Sequence, residues 1–342
     1  MYNSKKDISK NLNLIKRFFS DHIAKPLFEQ KINLDKDPKY DFCSYGNNNS
    51  NKIFYVIRRS PGAGLFSNLI FVINHLQIAK KHNFIPVIDM QNYPTIYNEN
   101  KIINHTKNSW LYYFEPVSKY SLHEVYKSKN VILSKNKFYD SFTHEIFKSK
   151  ILLKLSKKII IKEYIQQKVK KFLKKNSINK YNTLGIHYRG TSYKDSANHP
   201  FPPTYKQLVT KINKLIKKNN FKQIFFATED KEMFNLILKK YQNKIIFFNS
   251  FRSFKDDAFK KYNRPNHRFK LGEEILIESL ILAECHTFLY VQTNVSTFVR
   301  YLRKKNQVLI PLNNGFNSSN EYIAKWLWYI KKFLPKKLGG FD

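Results

Sequence analysis

Apolar residues in this chain come in short runs that end at a turn and give way to a longer amphipathic stretch. The run "KIFYVIRR" (52–59) reads as a strand, "SPGAG" as a turn, "FSNLIFVINHLQIAKKH" (66–82) as a helix and "FIPVIDM" (84–90) as the next strand, which makes one βαβ unit. Residues 91–150 break the rhythm: they are aromatic-rich and predict an irregular region walling a cleft. A helix over 162–175 leads into "NSINKYNT", a polar break that predicts a domain boundary. Beyond it the alternation is cleaner, with strands at 183–189, 223–228, 244–249, 287–293 and 308–313 and helices at 204–219, 230–241, 273–285 and 296–306. Apolar strands alternating with helices of this length predict parallel sheets covered on both faces, an α/β fold. The expected domains are 1–178, 179–315 and a terminal helical segment, 316–342. In that segment Ile323, Trp326, Leu327, Ile330 and Leu334 recur at helical spacing with lysines between them. Such a stripe suits a helix packed on the body, or one lying on an anionic membrane surface.

A chain of 342 residues with 42% hydrophobic and 16% aromatic residues has the material for more than one core. The two cysteines, Cys43 and Cys285, are far apart and form no CxxC pair, so neither a disulfide framework nor a zinc site is implied. The net charge of +36 has three readings: lysine as the default surface residue, attraction to an anionic membrane or substrate, or nucleic acid. Nucleic acid is not the expected partner, because the Phe and Tyr residues sit in apolar strands and helices and read as core. The N-terminal stretch has no uninterrupted apolar region, and no segment approaches the roughly 18 apolar residues of a membrane span. The expectation is a cytoplasmic protein, peripheral on the inner face of the membrane if the terminal helix binds there.

In an open α/β sheet ligands bind beyond the carboxyl ends of the strands, and this is where the chemistry-bearing residues fall. One strand delivers His187, Arg189 and then Asp195; the next delivers Glu229 and Asp230; a later one leads to Asn294, Ser296 and Thr297 at the start of a helix. Arg189 offers a planar fork suited to phosphate, and the N–H groups of the helix opened by Ser296 and Thr297 form an anion site. Together they describe a diphosphate pocket, with Glu229 or Asp230 able to accept hydrogen bonds from a base or ribose. Each has a duller role: Ser296, Thr297, Glu229 and Asp230 can cap helices, and His187 can be a structural core histidine. In the first half, Gly62 and Gly64 with Asp89 partly imitate a dinucleotide fingerprint, but Ser67 replaces the third glycine and four residues separate the apolar strand from the first. No metal constellation stands out; Asp35 and Asp37 form a DxD, but Pro38 follows and no strand precedes.

Four segments resemble a known family. "GIHYRGTSYKDSANHP" is similar to the H-x-R-R-T-D-K stretch of the alpha-1,6-fucosyltransferases, including the bacterial nodulation type. "FFATEDKEMF" resembles their A-T-D-D segment, and "TNVSTFVR" resembles the serine-containing helix start, with related forms in protein O-fucosyltransferases. "GAGLFSN" resembles the superfamily's Gly-rich turn with a following Asn or Gln. These motifs occur in the family's order over about residues 60–302. The resemblance implies a GT-B fold, two Rossmann-like domains facing across a cleft, and an inverting, metal-independent transfer from a GDP-sugar, GDP-fucose above all, to a glycan hydroxyl in surface polysaccharide or glycoconjugate synthesis. No cofactor is implied, the nucleotide-sugar being the donor substrate. It further implies that Arg189 binds the β-phosphate with His187 beside it, that Glu229 and Asp230 meet the guanosine, and that Ser296 and Thr297 grip phosphate. Glu278 falls near the acidic position before the serine motif, Gly62, Gly64 and Asn68 form the turn on the donor, and Asp195 aligns with the base. Two positions depart: Gly190 stands where the family has its second arginine, and Ser192 where it has Asp. The alternatives are a basic nucleic-acid-binding protein and an NAD(P)-dependent oxidoreductase using Gly62 and Gly64.

Overall fold

A computed structural model describes residues 40–59, 62–134, 154, 156–178, 181–255, 257–260, 264–303 and 306–341. Asp35, Asp37 and most of the SPGAG turn's first half lie outside these residues. The chain divides into two compact units, residues 1–163 with 264–272 and residues 164–263 with 273–342.

In the first unit the sheet is built from β1 (Tyr40–Cys43), β2 (Phe54–Ile57), β3 (Ile85–Ile88) and β4 (Val131–Ser134), in the order β1-β4-β2-β3. β2 is parallel to both β3 and β4, and β1 closes the edge antiparallel to β4. Every residue of β2 and β4 is buried, which is what unbroken apolar runs require of central strands. Helix α1 (Leu65–Lys81) joins β2 to β3, buries eleven side chains and ends on Lys80 and Lys81, which suit the negative end of its dipole. The short helices α2 (Trp110–Tyr113) and α3 (Leu122–Val125) lie between β3 and β4. The aromatic stretch is therefore not a cleft wall throughout: Trp110, Tyr112, Tyr113 and Phe114 are buried core, and Val131–Ser134 is an inner strand. β4 is a short, fully buried run with no periodic helix beside it to mark it as a strand.

The second unit opens with α4 (Glu163–Lys175) and carries β5 (Thr183–Tyr188), α5 (Tyr205–Asn219), β6 (Gln223–Thr228), α6 (Lys231–Tyr241) and β7 (Ile245–Ile246). It continues through α7 (His267–Glu284), β8 (Thr287–Val291), α8 (Asn294–Leu302), β9 (Val308–Leu312) and α9 (Glu321–Phe333). All five strands are parallel, in the order β7-β6-β5-β8-β9. This is the 3-2-1-4-5 order of doubly wound sheets, whose direction of winding reverses between β5 and β8. On one face Leu184, Ile186 and Tyr188 pack with Leu208 and Ile212 of α5 and Phe234 and Ile237 of α6. On the other, the end of α7 comes so close that a Cβ on Gly185 would stand 3.1 Å from Leu282 and 2.9 Å from Cys285 just beyond the helix. Strand class and order of elements agree with the alternation read from the sequence.

The division between units differs from the expected one. α4 groups with the second unit because Phe172 packs on Phe225 and Phe248, and Lys168 pairs with Glu273 at 2.6 Å. Residues 264–272 group with the first, where Phe269 stacks on Tyr113 and its carbonyl accepts from the Tyr113 hydroxyl at 2.9 Å. Residues 316–342 form no separate module: Trp328 is buried with Phe201 and Phe341, and its Nε1 donates to the Pro202 carbonyl at 2.8 Å. These ties join residues distant in sequence, and a polar break in local composition does not report them.

Candidate functional site

The reversal point of the second sheet brings the end of β5 beside the turn that follows β8. His187, paired in register with Ala227 and Tyr290, is buried, and its Nδ1 has no hydrogen-bond partner among the described residues. Burial, and then the neighbouring Arg189 charge, push its pKa down to about 3, so the imidazole is neutral at pH 7. Arg189 is partly exposed at the strand end. Its Nη2 donates to Ser192 Oγ at 3.2 Å, its Nε lies 3.6 Å from Glu229 Oε1, and its guanidinium sits 5.4 Å from the centre of the Tyr193 ring. The plane of the fork is thus oriented from two sides.

Glu229 and Asp230, at the end of β6, build the loop that carries Arg189. Glu229 Oε1 accepts from the backbone N–H groups of Gly190 (3.0 Å) and Thr191 (3.2 Å) and from Thr191 Oγ1 (3.1 Å). Asp230 caps α6 through Met233 N–H at 2.9 Å and pairs with Lys194 at 3.3 Å. Their contacts are those of loop struts as much as of base-binding acids. Gly190 follows from this packing: a Cβ there would collide with the Asp230 carboxylate and the Tyr188 ring, so no arginine fits at the position. Asp195, just after a 3-10 turn over Ser192–Lys194, is exposed, and burial followed by the Asp195 charge raises the pKa of Tyr329 of α9 beside it. An open groove of about 600 Å³ lies here, lined by Thr191, Lys194, Asp195, Asp230, Trp328 and Tyr329 among others.

Beyond β8, Thr293 caps α8 in a reciprocal capping box with Ser296. Ser296 Oγ donates to the Thr293 carbonyl at 2.9 Å and accepts from its N–H at 2.9 Å, while Thr297 Oγ1 donates to the same carbonyl at 3.0 Å. Both side chains are buried; the cap itself is Thr293, with Ser296 as its partner in the box and Thr297 bonded back to the Thr293 carbonyl, so the helix opens earlier than the expected cap at Ser296 and Thr297. An anion at this end would meet backbone N–H groups of the first turn. Asn294, the first helical residue, has a buried Oδ1 with no hydrogen-bond partner among the described residues.

Glu278 lies inward on α7. Its Oε1 accepts from Ser250 Oγ at 2.7 Å and stands 3.5 Å from Arg252 Nη2; burial raises its pKa to about 7 against the lowering influence of Arg252 and Ser250. Arg252 lies over the Phe234 ring at 4.0 Å and donates to the carbonyls of Ser250 and Phe248. Together with Glu274, which accepts from Phe251 N–H at 3.0 Å, it anchors the loop after β7. Arg252 is the main partner the sequence reading missed; the signal was an arginine set between two phenylalanines of a loop otherwise rich in charge.

The remaining candidates belong to the first unit. Gly62 has φ +101°, a conformation that favours glycine, and Gly64 precedes α1 in extended backbone. Asn68 is a buried strut: its Oδ1 accepts from Arg59 Nε at 3.3 Å and its Nδ2 donates to the Ala63 carbonyl at 3.4 Å. Asp89 is fully buried and accepts from the N–H groups of Gln91 and Asn92, the Asn92 side chain and the Tyr126 hydroxyl. It is not presented to a ribose, which removes the acidic residue on which the dinucleotide alternative depended. Among the described residues no cluster of three His, Cys, Asp or Glu side chains is arranged to hold a metal ion.

No protein-family model and no curated protein matches the chain. Solved structures do. NodZ alpha-1,6-fucosyltransferase soaked with GDP-fucose aligns with a TM-score of 0.47 and 12% identity, over 74% of this chain and 93% of that one. Fucosyltransferase NodZ from Bradyrhizobium aligns with a TM-score of 0.44 and 13% identity, over 73% and 92%. POFUT1 in complex with GDP aligns with a TM-score of 0.36 and 12% identity, over 75% and 73%.

Proposed function

We propose that this chain is an inverting, metal-independent glycosyltransferase that takes a sugar from a GDP-sugar, GDP-fucose first among them, and delivers it to a hydroxyl of a glycan acceptor. The observation that carries the reading is the position of Arg189: an oriented, partly exposed guanidinium at the reversal point of a 3-2-1-4-5 sheet, where such sheets bind nucleotides. The four fucosyltransferase-like motifs, in that family's order, support the choice of donor.

Transfer with inversion requires the acceptor hydroxyl to attack the anomeric carbon opposite the departing diphosphate. Negative charge grows on the phosphate oxygens as the bond breaks. In this reading Arg189 and the first-turn N–H groups of α8 meet that charge, and because both are fixed beforehand they stabilise the transition state without reorganising. His187, buried and neutral next to Arg189, shapes the strand end without adding or cancelling charge. Asp195 takes the acceptor proton as base, a role worth on the order of 10²–10⁴-fold. With Gly190 in place of a second arginine, the phosphate site depends on one guanidinium where the family uses two.

The test is thermal stabilisation by GDP, UDP, CMP and NAD, for wild type and Arg189→Ala. The expected outcome is stabilisation by GDP that disappears in the variant, and a fall in turnover equivalent to roughly 3 kcal/mol of barrier. Normal turnover in Arg189→Ala would end the site assignment, and a response to UDP, CMP or NAD alone would end the GDP assignment.

A further inference from the structure

The apolar stripe of α9 does not face the body of its unit. The helix is seated by Ala324 and Trp328, which are buried, whereas Tyr322 (80%), Trp326 (67%), Ile330 (53%) and Phe333 (81%) are largely exposed. At about 100° per residue, these four and Ile323 fall within roughly a 100° arc, centred nearly opposite the seated side. Lysines border the arc on both sides, Lys331 on one and Lys325 and Lys332 on the other, and Lys336 and Lys337 follow directly after the helix.

We propose that this face of α9 docks the protein on an anionic phospholipid surface, with the helix lying in the interface plane, Trp326, Ile330 and Phe333 entering the headgroup and acyl boundary, and the bordering lysines meeting lipid phosphates. An apolar arc between basic flanks is the arrangement that binds in the interface plane, aromatic side chains being well placed at headgroup level. Charge selects this occupant over a second copy of the chain. Two copies meeting face to face would bring like lysine borders together on molecules of net charge +36, whereas an anionic leaflet attracts both. Among the described residues no helix is long and apolar enough to cross a membrane, so the mode proposed is lying on the surface. The inference does not depend on the reaction proposed above. If both hold, the groove beside Asp195 is lined by the seated Trp328 and by Tyr329, which borders the exposed arc, so docking would place that groove close to the lipid surface.

The full chain reports on itself. Of its three tryptophans, Trp110 and Trp328 are buried and Trp326 is exposed, so a change in emission on docking comes from Trp326. With vesicles of equal phosphatidylglycerol and phosphatidylcholine, wild type is expected to partition with a blue-shifted emission that lipids brominated near the headgroup quench. Pure phosphatidylcholine should bind at least tenfold more weakly, since each lysine near an anionic surface contributes on the order of fivefold. The variant Ile330→Ser/Phe333→Ser keeps Trp326 as the probe and should lose tenfold or more in partitioning while melting at the wild-type temperature. Three results would overturn the proposal: no blue shift on vesicles that do sediment the protein, equal partitioning of variant and wild type, or wild-type self-association that the same double substitution abolishes. Vesicle binding and nucleotide stabilisation are separate readouts, so failure of one reading is distinguishable from failure of the other.

Discussion

His187 and Arg189, two positions apart, share a face of the chain and meet opposite fates because the strand ends between them: His187 lies inside β5 and Arg189 follows its last residue, Tyr188. His187 is closed in beneath the sheet end, while Arg189 is held at the opening by Ser192, Glu229 and Tyr193. The buried imidazole has a consequence for stability. Its pKa lies near 6.5 in the unfolded chain and about 3 in the folded one. Between those values the unfolded state holds a proton that the native state lacks, so stability falls as pH is lowered from about 6.5 toward 3, by up to about 1.4 kcal/mol per pH unit from this one group. Glu278 acts in the other direction: its folded pKa is raised to about 7, so the stability it contributes is complete below about 4.5 and is lost as pH rises through 7. Comparing melting temperatures of wild type and His187→Gln between pH 4 and 7 separates the two. The variant should show the shallower acid loss, and identical slopes would mean that His187 is not held neutral. Gly190 belongs to this scale as well. Seen only as a departure from a motif, it reads as a missing arginine; in the folded chain the space of its side chain is taken by Asp230 and Tyr188.

Helix starts carry the element scale. α5 and α8 are both opened by a threonine in a reciprocal capping box, Thr204 with Gln207 and Thr293 with Ser296, yet only α8 begins at the reversal point of the sheet. Replacing either threonine by alanine should cost about 1 kcal/mol of stability. Thr293→Ala should in addition weaken GDP binding, because the first-turn N–H groups of α8 lose their orientation, and Thr204→Ala should leave it unchanged. Denaturant melts and nucleotide titrations of both variants check this; equal GDP affinity in the two would remove α8 from the phosphate site. Much of this scale was legible beforehand. Strands β5, β6, β8 and β9 and helices α1 and α4–α8 follow the apolar periodicity, because each buries a face whose period its own residues write. β2 and β3, also four residues long, were legible because a helix stands between them; β1 and β4 were not, since no strand–turn–helix alternation frames them, and they become strands through pairing with each other and, for β4, with β2.

At the scale of the molecule, α9 shows how one helix serves two surroundings. Trp328 is buried and bonded to Pro202, while Trp326, two residues earlier, is exposed. Trp328→Ala should therefore destabilise the protein by about 3 kcal/mol through the cavity it leaves, and Trp326→Ala should lie within about 0.5 kcal/mol of wild type. Equal costs, measured by denaturant unfolding, would mean that the helix is seated differently. The net charge of +36 is a property of the same scale: it says nothing about which fold forms, but it bears on which surfaces the folded chain approaches.

The sequence by itself determined the local elements, their order, the α/β class and the position of His187, Arg189, Glu229, Asp230 and Ser296 at strand ends or helix starts. Periodicity and capping are written within a few residues, so they survive without knowledge of the rest of the chain. Only the tertiary structure decided what those residues face. It placed β5 beside β8, assigned α4 to the second unit, turned the hydroxyls of Ser296 and Thr297 onto the Thr293 carbonyl, and engaged Asp89 with Asn92 and Tyr126. It also turned the apolar stripe of α9 outward. Neighbouring strands, the seated side of a helix and the partner of a buried carboxylate are chosen by contacts between residues tens to hundreds of positions apart, and no window along the chain contains both members of such a pair.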